Sequence, residues 1–257
     1  MKLYAGKSVK SDFKDLVRSM PHYAFASPRR STVPLLDFWR VPGSRLSYLE
    51  RALGIGTLQE AALFFEYPVE VRAGKGKSSF TDLMITSATV TIAIEAKHRE
   101  PSYDTCEKWL GDAQEDDNRT KVLDGWLEHL KDKDNKSLTR DRVAAFPYQL
   151  IHRTASLFSV NAANRFLIYQ IFEEGEVTAS VPDLSSFQKL LSDTRDFHVG
   201  VMSCPFRATD GFAHTLNSWD NGRREGLADE VREALLAGPI FEFAEPMMKV
   251  DRELKAT

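Results

Sequence analysis

The chain has 257 residues, of which 42% are hydrophobic and 28% are charged, and its formal net charge at pH 7 is −3. This composition is typical of a globular protein and argues against a strongly basic protein that coats nucleic acid, although a local basic groove needs only a patch of charge. No apolar run approaches membrane-spanning length, and the N-terminus lacks the apolar segment of a signal peptide. The cysteines, Cys106 and Cys204, have no metal-ligand spacing. We therefore expect a cytoplasmic protein with no membrane partner.

Apolar periodicity predicts alternating helices and strands along the chain. The predicted helices cover 11–20, 44–53, much of 105–131, 148–158, a segment from near Pro182 to 191, and 227–236; the predicted strands cover 64–71, 80–85, 90–97, 165–172 and 198–203. This order predicts one mixed α/β domain over residues 1–257, with helices packed on a central sheet. Within it, we expect an N-terminal extension (1–43), a core (44–172) and a C-terminal part with a strand and helices (173–257).

Two neighbouring predicted strands contain charged residues in an apolar setting. Because side chains alternate along a strand, Glu95 and Lys97 share one face with Ala93. If a hairpin places Asp82 opposite Ala93, Asp82 becomes a diagonal neighbour of Glu95, about 7–8 Å away between α-carbons. Two carboxylates at that spacing can bind one hard cation such as Mg²⁺. The alternative is a cross-strand ion pair on a surface-facing strand, but the neighbouring residues are apolar.

The spacing of these residues resembles a known motif. Asp82, twelve further residues, and then Glu95-Ala96-Lys97 resemble the PD-(D/E)XK nuclease superfamily, which has the restriction-endonuclease-like fold. The resemblance covers about residues 44–172 and implies a central mixed sheet with a three-strand meander flanked by helices. It also implies that Asp82 and Glu95 bind Mg²⁺, with Mn²⁺ as a substitute, and that Lys97 is the catalytic lysine.

Many members of that superfamily add an acidic residue from the helix before the meander, and Glu50 matches this position best. Glu66 and Glu70, in the first strand of the meander, are weaker candidates. Some members have a glutamine on the helix after the motif, and Gln149 resembles it. The alternatives are an ordinary helix carboxylate for Glu50 and a surface or capping amide for Gln149.

Other polar and aromatic residues near these segments are expected to have ordinary roles. We expect His98, Arg99, His152 and Arg153 to be solvated residues at the ends of elements. Lys75 and Lys77 are expected in a flexible, basic hairpin connection. Trp109 and Trp126 are expected in the core or at an interface. A role of the basic loop beside a nucleic-acid groove is the alternative. The six histidines show no zinc-ligand spacing.

The resemblance implies a metal-dependent nuclease that hydrolyses phosphodiester bonds, with DNA as the first expectation, in restriction, defence or repair. One alternative is a catalytically inactive nuclease-fold protein that binds nucleic acid or a protein partner. A second is a non-enzymatic α/β interaction protein in which the motif is accidental. The choice between DNA and RNA, endo- or exonuclease action, sequence specificity and a homodimeric state stay open.

Overall fold

The fold is organised around one large mixed β-sheet. The computed structural model of the chain describes residues 1–100, 103–131, 138–174, 182–191 and 196–250. Within these residues the strands are β1 (Lys2–Ala5), β2 (Ser8–Lys10), β3 (Ala62–Val69), β4 (Ser79–Thr86), β5 (Val90–Lys97), β6 (Asn164–Glu173), β7 (Phe197–Ala208), β8 (Phe241–Phe243) and β9 (Met247–Val250). Their order across the sheet is β2-β1-β3-β4-β5-β6-β7-β8, and β9 also pairs with β7.

Helices cover both faces of the sheet. They are α1 (Phe13–Ser19), α2 (Thr32–Phe38), α3 (Pro42–Leu53), α4 (Cys106–Leu110), α5 (Asn118–Leu127), α6 (Arg140–Val143), α7 (Tyr148–Phe158), α8 (Leu184–Leu191), α9 (Asp210–Asp220) and α10 (Leu227–Ala237), with 3₁₀ turns at His22–Phe25 and Glu128–Leu130. Alternate residues of β5 pack into two core clusters. Ile92 and Ile94 join the cluster that contains α1–α3, α9 and α10 (the first face), whereas Ala93 joins the cluster that contains α5, α7 and α8 (the second face).

Strand β5 joins the antiparallel and the parallel parts of the sheet. Strands β3, β4 and β5 form an antiparallel meander, and β5, β6 and β7 run parallel. Every residue of β5 is buried, as expected for a strand covered by helices on both faces. The predicted mixed α/β architecture and the meander are therefore confirmed. The predicted N-terminal extension supplies β1, which pairs in parallel with β3 and continues the sheet.

The β4–β5 register differs from the predicted one by two residues. Ala93 lies opposite Met84 and not opposite Asp82. The turn is closed by a 2.9 Å hydrogen bond from Ser87 N to Val90 O, so its tip is one residue later than predicted. Because side chains alternate with a period of two, this shift keeps the acidic residues on the same face.

Several elements, most of them short, were not predicted from the sequence. They are β1, β2, α2, α6, α9, β8 and β9, and β7 is also about twice as long as predicted. The first strand of the meander ends at Val69, before Glu70. Strands of three or four residues carry too few positions to show an alternating pattern, which explains why most of these were missed. Among the described residues, no helix has the length and apolar character needed to cross a bilayer.

Candidate functional site

Glu66 and Asp82 lie opposite each other on β3 and β4. The register places them one step beyond the Phe65–Leu83 pair, although the regular ladder omits them. The backbone of Glu66 is left-handed, with φ of 53°. Only a few per cent of non-glycine residues adopt this conformation, so the strand is distorted at this residue.

Asp82 is also adjacent to Glu95 on β5. Continuing the register from the Leu83–Ile94 pair places the two carboxylates opposite each other. Here a side chain replaces the regular ladder, because Ala96 N donates a 2.8 Å hydrogen bond to Asp82 Oδ2. The Asp82 side chain is 21% exposed and that of Glu95 only 2%. Three carboxylates therefore lie in a row across β3, β4 and β5, and solvent reaches the row at Asp82.

Two cations hold the Glu95 carboxylate. Lys97 Nζ donates to Glu95 Oε1 at 2.8 Å. Arg153 Nε, from α7, donates to the other oxygen, Oε2. Arg153 Nη2 also lies 4.0 Å from Asp82 Oδ1, beyond hydrogen-bond distance but close enough for electrostatic attraction. The arginine on α7 thus joins two of the acidic residues of the meander.

The surroundings of the row raise the pKa values of Asp82, Glu66 and Lys97. Burial, together with the charge of Glu95, raises the pKa of Asp82 well above its ordinary value. The pKa of Glu66 is raised to about 7, mainly by burial. Attraction to Arg153 partly opposes this rise, and repulsion from Glu95 adds to it. Burial by itself lowers the pKa of Lys97, but the charges of Glu95 and Asp82 outweigh it and raise that pKa.

A chain of polar contacts leads from Arg153 to the surface of α7. Arg153 Nη1 donates a 2.7 Å hydrogen bond to Ser79 Oγ, and the same oxygen lies 2.9 Å from His152 Nδ1. Burial and the charges of Arg153 and Lys97 lower the pKa of His152 well below its ordinary value, so the ring is neutral near pH 7. A neutral ring can accept the hydroxyl hydrogen of Ser79, which orients the serine towards the arginine.

The structure does not bring Glu50 to this row. Leu58 N donates a 2.6 Å hydrogen bond to Glu50 Oε1, so the carboxylate ties the end of α3 to the following loop. The buried residues of α3 belong to the first face of the sheet, whereas Arg153 approaches the row on α7 from the second. Glu66, a weaker candidate from the sequence, lies opposite Asp82 instead. Glu70 is exposed beyond the end of β3.

Gln149 and the residues after it lie on α7, as predicted. Gln149 is 4% exposed and precedes Arg153 by four residues, so both lie on the same face of the helix. The prediction that Arg153 and His98 are solvated is wrong, since they are 8% and 1% exposed. No local pattern signals the burial of Arg153, because its compensating charge, Glu95, comes from a strand distant in the sequence.

A protein-family model described as "Domain of unknown function (DUF6946)" matches residues 10–209. The chain belongs to this family. No curated protein and no solved structure matches the chain. The matched range of the DUF6946 family contains β3, β4, β5 and α7, and hence every residue of the carboxylate row and both of its cations.

The donor chemistry of the DUF6946 row fits a hard divalent cation. Glu66 and Asp82 supply carboxylate oxygens, the ligand type that Mg²⁺ prefers, and burial together with repulsion from Glu95 raises the pKa of each. Among the described residues, no group of three or more His, Cys, Asp or Glu side chains is already arranged to hold a metal. Both oxygens of Glu95 accept hydrogen bonds, one from Lys97 and the other from Arg153.

Proposed function

We propose that this protein is a Mg²⁺-dependent nuclease of the PD-(D/E)XK, restriction-endonuclease-like class that hydrolyses phosphodiester bonds, with DNA as the first substrate to test. The observation that carries the proposal is the row of Glu66, Asp82 and Glu95 on three adjacent strands, with Lys97 bonded to Glu95. The order α3, then the meander, then α7, then β6 parallel to β5 supports it. Phosphodiester chemistry needs such a combination, because hard carboxylate ligands and a fixed cation act on the same phosphate.

In this proposal Glu66, Asp82 and Glu95 would hold Mg²⁺, which supplies Lewis-acid polarisation of the phosphoryl oxygen and a more acidic bound water. Lys97 is a hydrogen-bond donor and not a proton acceptor, because its raised pKa keeps the ammonium protonated near neutral pH. Its charge stabilises the negative charge that develops on the phosphoryl oxygens in the transition state. Arg153 holds the Glu95 carboxylate in place and offsets the repulsion within the row.

A second candidate function is binding of nucleic acid or a protein partner without catalysis. The engagement of both Glu95 oxygens by cations favours it, since a fully bonded carboxylate is a poorer metal ligand. The two candidates differ in one measurable property. A nuclease must bind a divalent cation at the row, whereas an inactive binder in which Lys97 and Arg153 satisfy Glu95 gains nothing from one.

The test is a cleavage assay with the purified chain on labelled single- and double-stranded DNA and RNA, in Mg²⁺, in Mn²⁺ and in EDTA. We expect cleavage only with metal, and loss of at least about a hundredfold in rate for Glu95→Gln and for Lys97→Ala, with folding checked by circular dichroism. Glu70→Gln is the matched control, because Glu70 is an exposed carboxylate next to β3. Absence of metal-dependent cleavage on every substrate, or full activity of Glu95→Gln, would overturn the proposal. A crystal soaked in Mn²⁺ should show the ion between Asp82 and its neighbours.

A further inference from the structure

A cavity of about 280 Å³ adjoins the carboxylate row on the α7 side of the sheet. Its walls come from the β3–β4 connection, from β4, and from α4, α5 and α7. The lining residues on which the argument depends include Lys75, Lys77, Trp109, Arg119, Trp126 and Tyr148. Its volume is just below the range of about 300–1,000 Å³ that is usual for small-ligand pockets, which suits one flat group and excludes a duplex.

The inner wall of this cavity is aromatic and rigid. The rings of Trp109 and Tyr148 stack with a centroid distance of 3.9 Å and an angle of 4° between their planes. Trp126 Nε1 donates a 2.9 Å hydrogen bond to the Tyr148 hydroxyl, which fixes the position of that ring. Trp109 is only partly buried, so part of the stack stays accessible. Such a wall can stack against any nucleobase, because every base has a π face.

The rim of the cavity is cationic. Lys75, Lys77 and Arg119 are all exposed, and within the described parts of the chain none of them forms an ion pair with a carboxylate. Two hydrogen bonds with Asn118, of 2.6 and 2.7 Å, hold the backbone of Lys75 against the start of α5. The backbone of the loop that carries the lysines is therefore held in place. Surface cations beside an aromatic wall are complementary to the negative charge of a nucleic-acid backbone.

Close packing of the loop on α5 depends on a glycine. A Cβ atom at Gly125 would lie 2.5 Å from Ala73 N and 2.8 Å from Ala73 O, so any larger residue would push the loop outwards. The absence of a side chain at Gly125 therefore lets the β3–β4 connection pack directly against α5. This close approach brings the basic loop over Trp126, one residue further along the same helix.

The cavity is connected to the carboxylate row through two residues. Ser79 and His152 line the cavity, and Ser79 Oγ accepts the hydrogen bond from Arg153, which in turn binds Glu95. Only the serine and the arginine separate the cavity from the row. A nucleotide held in the cavity would therefore extend towards the row, where the Asp82 side chain is partly exposed.

We propose that this cavity is a subsite for one unpaired nucleobase of a single strand, with its phosphates on Lys75, Lys77 and Arg119. The inference deepens the proposed nuclease function, on which it rests, by naming single-stranded nucleic acid, or a frayed or flipped nucleotide, as the substrate form. An unpaired base is required because a base within a duplex is stacked on both sides and cannot reach an aromatic wall.

The test is fluorescence anisotropy with a labelled twelve-nucleotide single strand in EDTA, so that no cleavage contributes. We expect the parent protein to bind the strand at least about tenfold more tightly than the blunt duplex of the same sequence. Trp109→Ala should weaken single-strand binding about tenfold, and Trp109→Phe should restore most of it. Lys75→Ala combined with Lys77→Ala should weaken binding and reduce the slope of its salt dependence by about 1 for each phosphate that these lysines neutralise.

Matched controls separate the subsite from general surface effects. Lys7→Ala combined with Lys14→Ala removes two exposed lysines from the N-terminal region, and Tyr23→Ala removes an aromatic ring that is 78% exposed. Both controls should bind like the parent. Equal affinity for strand and duplex, or unchanged binding by the Trp109→Ala and lysine variants, would overturn the proposal. Trp109→Phe and the lysine double variant keep the test valid if Trp109→Ala does not fold.

Competition experiments identify the chemical group that is bound. A nucleoside monophosphate should displace the labelled strand at lower concentration than inorganic phosphate, and equal displacement by both would overturn the stacking role of the wall. Parallel DNA and RNA strands show which sugar is preferred. Failure of the subsite and failure of the nuclease function are distinguishable. Tight, Trp109-dependent binding without metal-dependent cleavage removes only the nuclease function, whereas cleavage that is indifferent to Trp109 and the lysines removes only the subsite.

Discussion

Glu66 faces Asp82 across the β3–β4 pair, and its own backbone is left-handed, with φ of 53°. The regular alternation of side chains along β3 is interrupted at Glu66. Phe64 before it and Tyr67 and Val69 after it all pack against the second face. A left-handed non-glycine residue costs about 1–3 kcal/mol and persists only where the surroundings impose it. Glu66 lies within electrostatic reach of Glu95 and Arg153. Glu66 is thus the acidic residue of the first meander strand that joins the site.

The first prediction concerns the pH dependence that Glu66 gives to the fold. Its folded-state pKa of about 7 lies above the ordinary value of 4.5, so the folded protein holds a proton that the unfolded chain releases. Stability from this group is complete below pH 4.5 and is lost as the pH rises to about 7. We expect Glu66→Gln to raise the free energy of unfolding at pH 8 by about 2 kcal/mol and to flatten its decline between pH 4.5 and 7.

Urea unfolding of the metal-free protein at several pH values measures this effect. Glu70→Gln is the control, because that exposed carboxylate lies four residues further along the chain. If Glu66→Gln lowers stability at pH 8, its carboxylate makes favourable contacts in the metal-free protein and the repulsive row is disproved.

The sequence predicts the strands of the site more clearly than it predicts which acidic residues join them. The alternation around Asp82 and Glu95 predicts two strands and one shared face, and the structure has both. The third acidic residue could not be singled out in this way, because alternation gives Glu66 and Glu70 the same face and does not rank them against Glu50 on α3. Glu50 fitted the helical pattern but satisfies a nearby backbone N–H group instead.

The burial of Arg153 could not be predicted from the sequence either. A charged residue on a helix is ordinarily assigned to the solvated face, because burial of an unpaired charge is costly. Here Glu95, on a strand far from α7 in the sequence, supplies the compensating charge, and only the folded sheet brings α7 over it. The long-range pairing, rather than any local pattern, decides where this side chain lies.

The second prediction separates the two roles of Asp82. Asp82→Asn removes a negative charge from the row but keeps an oxygen that can accept the hydrogen bond from Ala96 N. We expect it to raise the melting temperature of the metal-free protein by about 2–4 °C at pH 7.5, the shift that about 1 kcal/mol produces in a chain of this size. Asp82→Ala removes the acceptor as well and should lower the melting temperature, because an unpaired buried N–H costs about 1–3 kcal/mol.

Differential scanning calorimetry in EDTA measures both variants of Asp82. A lower melting temperature for Asp82→Asn would mean that the attraction to Arg153 exceeds the repulsion from Glu95 and Glu66. That result would favour a structural ion-pair network over a metal site at this position.

The third prediction concerns Arg153. Its removal leaves the buried Glu95 carboxylate with one cation, so Arg153→Met should lower the free energy of unfolding by about 3–5 kcal/mol. Glu95→Gln in the same chain removes the uncompensated charge and should recover part of the loss. Arg142→Ala, which removes an exposed arginine from α6, is the control. Urea denaturation of the parent, the two single variants and the double variant gives the coupling energy, and strictly additive losses would show that the Arg153–Glu95 contact contributes nothing.

The fourth prediction concerns a divalent cation and has a readout that does not depend on activity. We expect Mg²⁺ or Mn²⁺ to raise the melting temperature of the parent protein, with a gain of about 2.7 kcal/mol at a hundred times the dissociation constant. The affinity should increase as the pH rises through about 7, because Glu66 must lose its proton to act as a ligand. Glu66→Gln should weaken this pH dependence, the remainder coming from Asp82, whose pKa is also raised. Asp82→Asn should abolish the stabilisation, and Glu70→Gln should behave like the parent. If neither ion changes the melting temperature between pH 6 and 8, Lys97 and Arg153 are the permanent counter-charges of Glu95. The inactive binder would then be favoured over the nuclease.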